Sequence, residues 1–264
     1  MAETNVFYKM DKALPYSNRK FDHPVKTSSN QVLPNQDDIV SGIIPLPPDS
    51  LMIGMAKDGL PILFQLKDPS PCPVIIIGDQ DSGKTNLLKT LAGSINMGKD
   101  PIDIQFGVVT NFLEEWQDLE VKPECLGIWP INHGSADQFI RRMVDWAKQP
   151  FHGRQVMVLF IDNLASLLNT DLEVRENLKW LLMNGATRQC WTIASLNIVH
   201  AIRMKPWLGL FNTRIFGYIQ QPSMAKVIEV EYLPDFENKV PGLEFDLLQP
   251  GGWMRFWSPS LKPC

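Results

Sequence analysis

The chemistry of this sequence concentrates in Gly78-Asp79-Gln80-Asp81-Ser82-Gly83-Lys84-Thr85. Two glycines bracket four other residues, and a lysine and a hydroxyl follow. This fits the phosphate-binding pattern GxxxxGK[ST] at every required position. Gly78 and Gly83 admit backbone angles that a side chain forbids. Main-chain N–H groups from Asp79, Gln80, Asp81 and Ser82 through to Asn86 then converge as an anion nest. A helix starting at the loop adds its positive end. Lys84 reaches the β and γ phosphates, and the Thr85 hydroxyl is a magnesium ligand. The cofactors implied are ATP and Mg2+. A glycine-rich turn that binds nothing is the plainer alternative; the apolar run before the loop and the helical pattern after it weigh against that.

A second polar residue ends the run Val156-Met157-Val158-Leu159-Phe160-Ile161-Asp162. An aspartate at the end of a buried strand near such a loop holds magnesium, often through water. It can also cap a following helix. The next residue is Asn163. Its amide can orient water but cannot accept a proton at neutral pH. Slow hydrolysis is expected, or a carboxylate brought from elsewhere. Asp79, Asp81, Glu114 and Glu115 are candidates that sequence does not rank.

These residues need a scaffold. Strand patterns at VIIIG, IDIQFGVVT, VMVLFID, WTIASL and RIFGYI alternate with helical patterns. Such alternation predicts an α/β fold with a mostly parallel sheet flanked by helices. LMIGMAKDGLPILFQL, about 51–66, reads as an N-terminal β-hairpin turning at Asp58-Gly59, with Pro61 placing its second strand at a sheet edge. The expected core runs over about 74–233, and LEFDLLQPGGWMRFW forms a closing hairpin over about 243–258. Ser135 with Gln138 suggests a capping box. Asp171 and Gly185 bound a further helix, and PSMAKVIEVEYL another, with Pro222 in its first turn. Residues 1–40 are polar and lack apolar periodicity. They are read as a polar arm outside a 41–264 domain, either a disordered, inert tail or a segment that packs on a partner.

The order of elements resembles the motor domain of the FtsK–HerA superfamily of ring-forming, DNA-pumping ATPases. The matching features are MIGMAKDGLPILFQL before the glycine loop, the strand ending Ala194-Ser195-Leu196-Asn197, and Phe211-Asn212-Thr213-Arg214-Ile215-Phe216. The resemblance covers about Leu51 to Leu233. It implies a RecA-like P-loop NTPase and a homo-oligomer, a hexameric ring. ATP then lies between subunits, with an arginine in trans; Arg188 and Arg214 are the candidates. Asn163 stands where the family has its catalytic glutamate. Leu196 falls at a γ-phosphate-sensing glutamine, with Asn197 one place later as a substitute. Two family polar groups are therefore absent. The reading is a slowly hydrolysing ring ATPase; the alternative is a nucleotide-dependent assembly or regulatory module.

Gripping double-stranded DNA takes inward basic residues. Arg203 and Lys205, in an expected loop AIRMKPWLGLFN, are the candidates, whereas the other candidate pore loop, LLNTDLEVRE, is net acidic. A net charge of −4 over 264 residues excludes a chain that coats nucleic acid as a whole. Cys72, Cys125, Cys190 and Cys264 form no CxxC pair and suggest reduced thiols. His23, His133, His152 and His200 lack metal-ligand spacing. With no apolar run long enough to span a membrane and no signal-peptide core, a cytoplasmic location is expected.

Overall fold

The computed structural model describes residues 8–9, 47, 49–95, 104–131, 133–150, 153, 155–228, 234–236, 238–249 and 252–259. Most of the N-terminal arm, residues 229–233 and the tip of the closing hairpin lie outside them.

Eleven strands form one sheet in the order β1-β3-β2-β11-β10-β9-β4-β8-β7-β5-β6. Here β1 is Tyr8–Lys9, β2 Ser50–Ala56, β3 Pro61–Gln65, β4 Val74–Gly78, β5 Ile104–Thr110, β6 Cys125–Pro130, β7 Val156–Asp162, β8 Cys190–Asn197, β9 Thr213–Phe216, β10 Glu244–Gln249 and β11 Gly252–Trp257. From β9 to β6 the pairings are parallel, and from β9 outward to β1 they are antiparallel. The N-terminal and closing hairpins thus extend the sheet side by side.

Alternation along the central strands explains their unbroken apolar runs. Ile75 and Ile77 face one core cluster while Val74 and Ile76 face the other. In β7, Leu159 and Ile161 divide from Val158 and Phe160 in the same way. Each face is covered, so every side chain of the strand is buried. The cover comes from α1 (Lys84–Gly93) on one face and from α3 (Gly134–Lys148) and α4 (Leu172–Asn184) on the other. No helix among the described residues is long and apolar enough to cross a membrane.

Several local expectations need correcting. Pro61 opens β3, where a missing N–H is tolerated, but β3 is not the outermost strand: Tyr8 and Lys9 of the arm pair with Leu63 and Ile62. His133, not Ser135, caps α3, with Nδ1 accepting the Ser135 N–H at 3.2 Å. Asp171 does stand at the N-cap of α4, without a side-chain cap bond. Among the described residues after Gln221, the chain forms α6 (Pro222–Ala225) and a 3-10 turn at Lys226–Ile228, and the rest of the predicted helix lies outside the described residues. Residues 201–208, expected as a loop, form α5 (Ala201–Leu208) with Pro206 inside. Burial of Ala201, Met204, Trp207 and Leu208 along one face outweighs the hydrogen bond lost at Pro206. LLNTDLEVRE is likewise no open loop but a 3-10 turn, Leu164–Asn169, running toward α4. β6 was not anticipated; its residues are only partly buried and carry little periodicity.

Candidate functional site

The carboxyl ends of β4, β7 and β8 meet at the glycine loop. In register, Gly78 pairs with Asn197 and Ile161 with Ala194, so β8 lies between the strands that carry the loop and Asp162. The loop is held from below by the segment after β9. Asp79 N–H donates to the Tyr218 carbonyl at 2.9 Å, and the Asp79 carboxylate accepts the Gln220 N–H at 2.7 Å. Gly83 has φ of +84°, and a side chain there would drive its Cβ to 2.5 Å from the Gly242 Cα. Both the turn and the close approach of the segment before β10 therefore demand glycine.

Lys84 caps its own loop, donating to the Asp79 carbonyl and, at 3.2 Å, to Ser82 Oγ. Burial pulls its ammonium below the ordinary lysine value, while Asp162, Asp79 and Asp81 act in the opposite sense. A half-buried cation at the phosphate loop suits a polyanion. Gln80 and Asn86 are exposed around the loop, and Asp81 is exposed with φ of +58°.

Asp162 is only 4% exposed and is bound by side chains of three different elements. The Thr85 hydroxyl donates to Oδ2 at 3.0 Å, the Trp116 indole N–H to Oδ2 at 3.3 Å, and the Ser195 hydroxyl to Oδ1 at 2.8 Å. Ser195 Oγ also accepts the Asn163 N–H at 2.8 Å. Thr85 and Asp162 thus present hard oxygens side by side. No group of three His, Cys, Asp or Glu suited to a metal occurs among the described residues. One hydroxyl and one carboxylate fit magnesium, which takes few protein ligands and completes its shell with phosphates and water.

Asn163 sits at φ of +81°, a left-handed conformation that asparagine tolerates better than most residues. Its side-chain oxygen is buried and accepts no hydrogen bond. It lines a cavity of about 120 Å³ together with Ser166, Asn169, His200 and Arg203. Asn197 stands beside the loop strand, and its side chain accepts the Val199 N–H at 3.2 Å. Leu196 is fully buried.

The remaining expected residues do not gather here. Arg214 donates to the carbonyls of Ile228 at 2.9 Å and Leu208 at 3.2 Å, within its own chain. Arg188 is exposed just before the amino end of β8, the opposite end of that strand from Asn197. Lys205 is exposed on α5. Two site residues were missed in the sequence. Nothing local to Trp116 signals its bond to Asp162. Ser195 had a signal, its place in the ASLN strand end, but its role as a bridge between Asp162 and Asn163 needed the neighbouring strand.

The parallel central strands from β9 to β6, the flanking helices and the glycine loop define an α/β, RecA-like P-loop NTPase fold. Solved structures agree. The EssC ATPases 2 and 3 from Geobacillus thermodenitrificans superpose with a TM-score of 0.66 at 14% identity, over 81% of this chain and 47% of that one. Thermomonospora curvata EccC (ATPases 2 and 3), in complex with a signal sequence peptide, gives 0.63 at 13% identity over 81% and 41%. The conjugation coupling protein TcpA of pCW3, with ATPγS, gives 0.58 at 15% identity over 83% and 67%. The chain spans less than half the length of the EssC and EccC chains it matches. These likenesses show the fold alone. No protein-family model and no curated protein matches the sequence.

Proposed function

We propose that this chain binds ATP with magnesium and hydrolyses it slowly, as one subunit of a cytoplasmic homo-oligomeric ring. The observation that carries the reading is the Thr85–Asp162 pair, set directly beyond a complete phosphate loop. Lys84 and the loop N–H groups would hold the β and γ phosphates, and Thr85 and Asp162 would hold the metal. Magnesium, when bound, neutralises charge on those phosphates. Asn163 and Asn197 orient polar groups near the γ position but take no proton. That combination supports slow turnover.

The resemblance to FtsK–HerA ATPases supports a hexameric ring and an arginine supplied by a neighbour. Arg188, exposed, is better placed for that role than Arg214, which is committed to its own chain. The cargo follows by analogy. The similar folds include a coupling protein of conjugation and a secretion ATPase bound to a signal peptide. Duplex DNA, gripped by Arg203 and Lys205 on α5, is the first cargo to test. Asn163 and Leu196 favour the second reading, in which ATP assembles subunits with little hydrolysis.

The experiment is steady-state hydrolysis of magnesium ATP with and without duplex DNA, run alongside oligomer mass with and without nucleotide. Slow turnover that DNA accelerates supports the motor. Nucleotide-dependent assembly without turnover replaces it with the assembly module.

A further inference from the structure

Two stretches of chain touch the phosphate loop without belonging to it. The first follows β9. Its Gly217 N–H donates to the Ile77 carbonyl at 2.8 Å, one residue before the loop opens at Gly78. Its Tyr218 carbonyl accepts the Asp79 N–H, and its Gln220 N–H donates to the Asp79 carboxylate. A Cβ on Gly217 would stand 3.0 Å from the Ser82 carbonyl oxygen, so the backbone itself lies against the loop. The second stretch precedes β10. It is a tight turn in which the Leu243 and Glu244 N–H groups donate to the Val240 carbonyl at 3.2 and 3.1 Å. The Val240 N–H donates in return to Glu244 Oε2 at 3.0 Å. Gly242 of this turn is the close neighbour of Gly83. One stretch therefore meets the loop at Asp79 and Ser82, the other at Gly83.

A single side chain joins the two. Lys239 leads into the turn, and its side chain is fully buried. An ammonium has three N–H donors. Here Nζ has three acceptors: the Phe216 carbonyl at 2.7 Å, the Gly217 carbonyl at 3.1 Å and Asp246 Oδ2 at 2.9 Å. A buried charge needs a partner, and Asp246 supplies it. The two carbonyls add something else, because they fix the charge at the stretch that leans on the loop. The Phe216 carbonyl and the Gly217 N–H share one peptide group. Polarising that group at Nζ strengthens its bond to Ile77 on the other side.

We propose that Lys239 is a positioning residue for the phosphate loop, its ammonium tying the stretch after β9 to the turn before β10 so that the loop keeps its anion-binding shape before nucleotide arrives. This assignment rests on the proposed binding of nucleotide at that loop. Lys239 acts through Gly217, Gln220 and Gly242, not on the phosphates. A loop already in its bound shape loses less freedom on binding, so removing the tie weakens affinity.

The test titrates ATPγS with magnesium into the 264-residue chain by calorimetry, comparing wild type, Lys239→Met, Asp79→Ala and the double variant. Lys239→Met is expected to weaken binding about tenfold or more at unchanged stoichiometry. Asp79→Ala removes the acceptor for the Gln220 N–H and is expected to weaken binding to a similar degree. The double variant is expected to lie within about threefold of the weaker single one, since both changes release the same stretch. A merely structural lysine would lower the fraction of chains that bind, not the affinity of those that do. A Kd for Lys239→Met within about twofold of wild type, or losses that multiply in the double variant, overturns the assignment and leaves the nucleotide reading standing. Should Lys239→Met not fold, Lys239→Gln, whose amide keeps two donors, takes its place under the same limits. A wild-type chain that binds no ATPγS overturns both.

Discussion

Lys84 and Asp162 lie close enough for their charges to interact, yet they are held by different means. The loop side is a main-chain construction. Its lysine folds back on a loop carbonyl, its aspartate takes a main-chain N–H, and the segment after β9 is stitched to it by backbone bonds. The Asp162 side is a side-chain construction, in which a threonine, a tryptophan and a serine from separate elements converge on one carboxylate. A main-chain cradle tolerates changes in most of its side chains. A side-chain cluster fails when a single distant atom is removed.

The largest expected effect probes an exception on the loop side. Lys239 is fully buried, donates to the carbonyls of Phe216 and Gly217 at 2.7 and 3.1 Å, and pairs with Asp246 at 2.9 Å. Gly217 packs in turn against Ser82 of the loop. Asp246 also binds Arg255. Asp246→Ala leaves a buried lysine unpaired and should cost about 3–5 kcal/mol. Thermal unfolding should show a Tm lowered by roughly 10 °C. A change of a degree or two would mean that the backbone alone holds the loop side.

Next comes Lys84→Ala. Loss of a preorganised cation at the phosphates should lower turnover by about 10²–10³-fold. Tm should not fall, since burial already opposes this charge. A large fall in Tm would place Lys84 in the scaffold as well as in the site.

Ser195→Ala removes one donor to Asp162 and strands the Asn163 N–H. We expect a stability loss of about 1–3 kcal/mol, read by denaturant unfolding, together with slower turnover. Equal loss from an alanine at exposed Gln80 would erase the distinction between the two sides.

The smallest effect is a pH dependence. Burial pulls Lys239 down from 10.5 to about 8, against the partial support of Asp246. The folded value lies below the unfolded one, so between them the unfolded chain binds the proton more tightly and stability rises with pH. From pH 7 to 9 this group should add about 1 kcal/mol, and Lys239→Met should abolish that increment. An increment that survives the substitution would assign it to another group.

The same division decides what was legible in the sequence. The loop could be read residue by residue, because its chemistry is set by near neighbours along the chain. The central strands were legible too, as buried runs ending at polar residues. The Asp162 cluster was only half legible: Asp162 and Thr85 follow from the pattern, but Trp116 is 46 residues from its partner. The α5 helix was misread because Pro206 signals a break locally, while its burial is decided by the core it meets. His133 displaced Ser135 as a cap through an imidazole that no simple capping rule favours. The contact of Gly242 with Gly83 joins segments that share no local pattern.

The central claim is that the loop and Asp162 together hold a magnesium nucleotide. Calorimetric titration of ATPγS into the wild-type chain, with magnesium and with a chelator, tests it most directly when repeated on Asp162→Ala. The account predicts binding in the wild type that magnesium strengthens, and binding in Asp162→Ala that magnesium no longer improves. A wild-type chain that binds no ATPγS under either condition would contradict it.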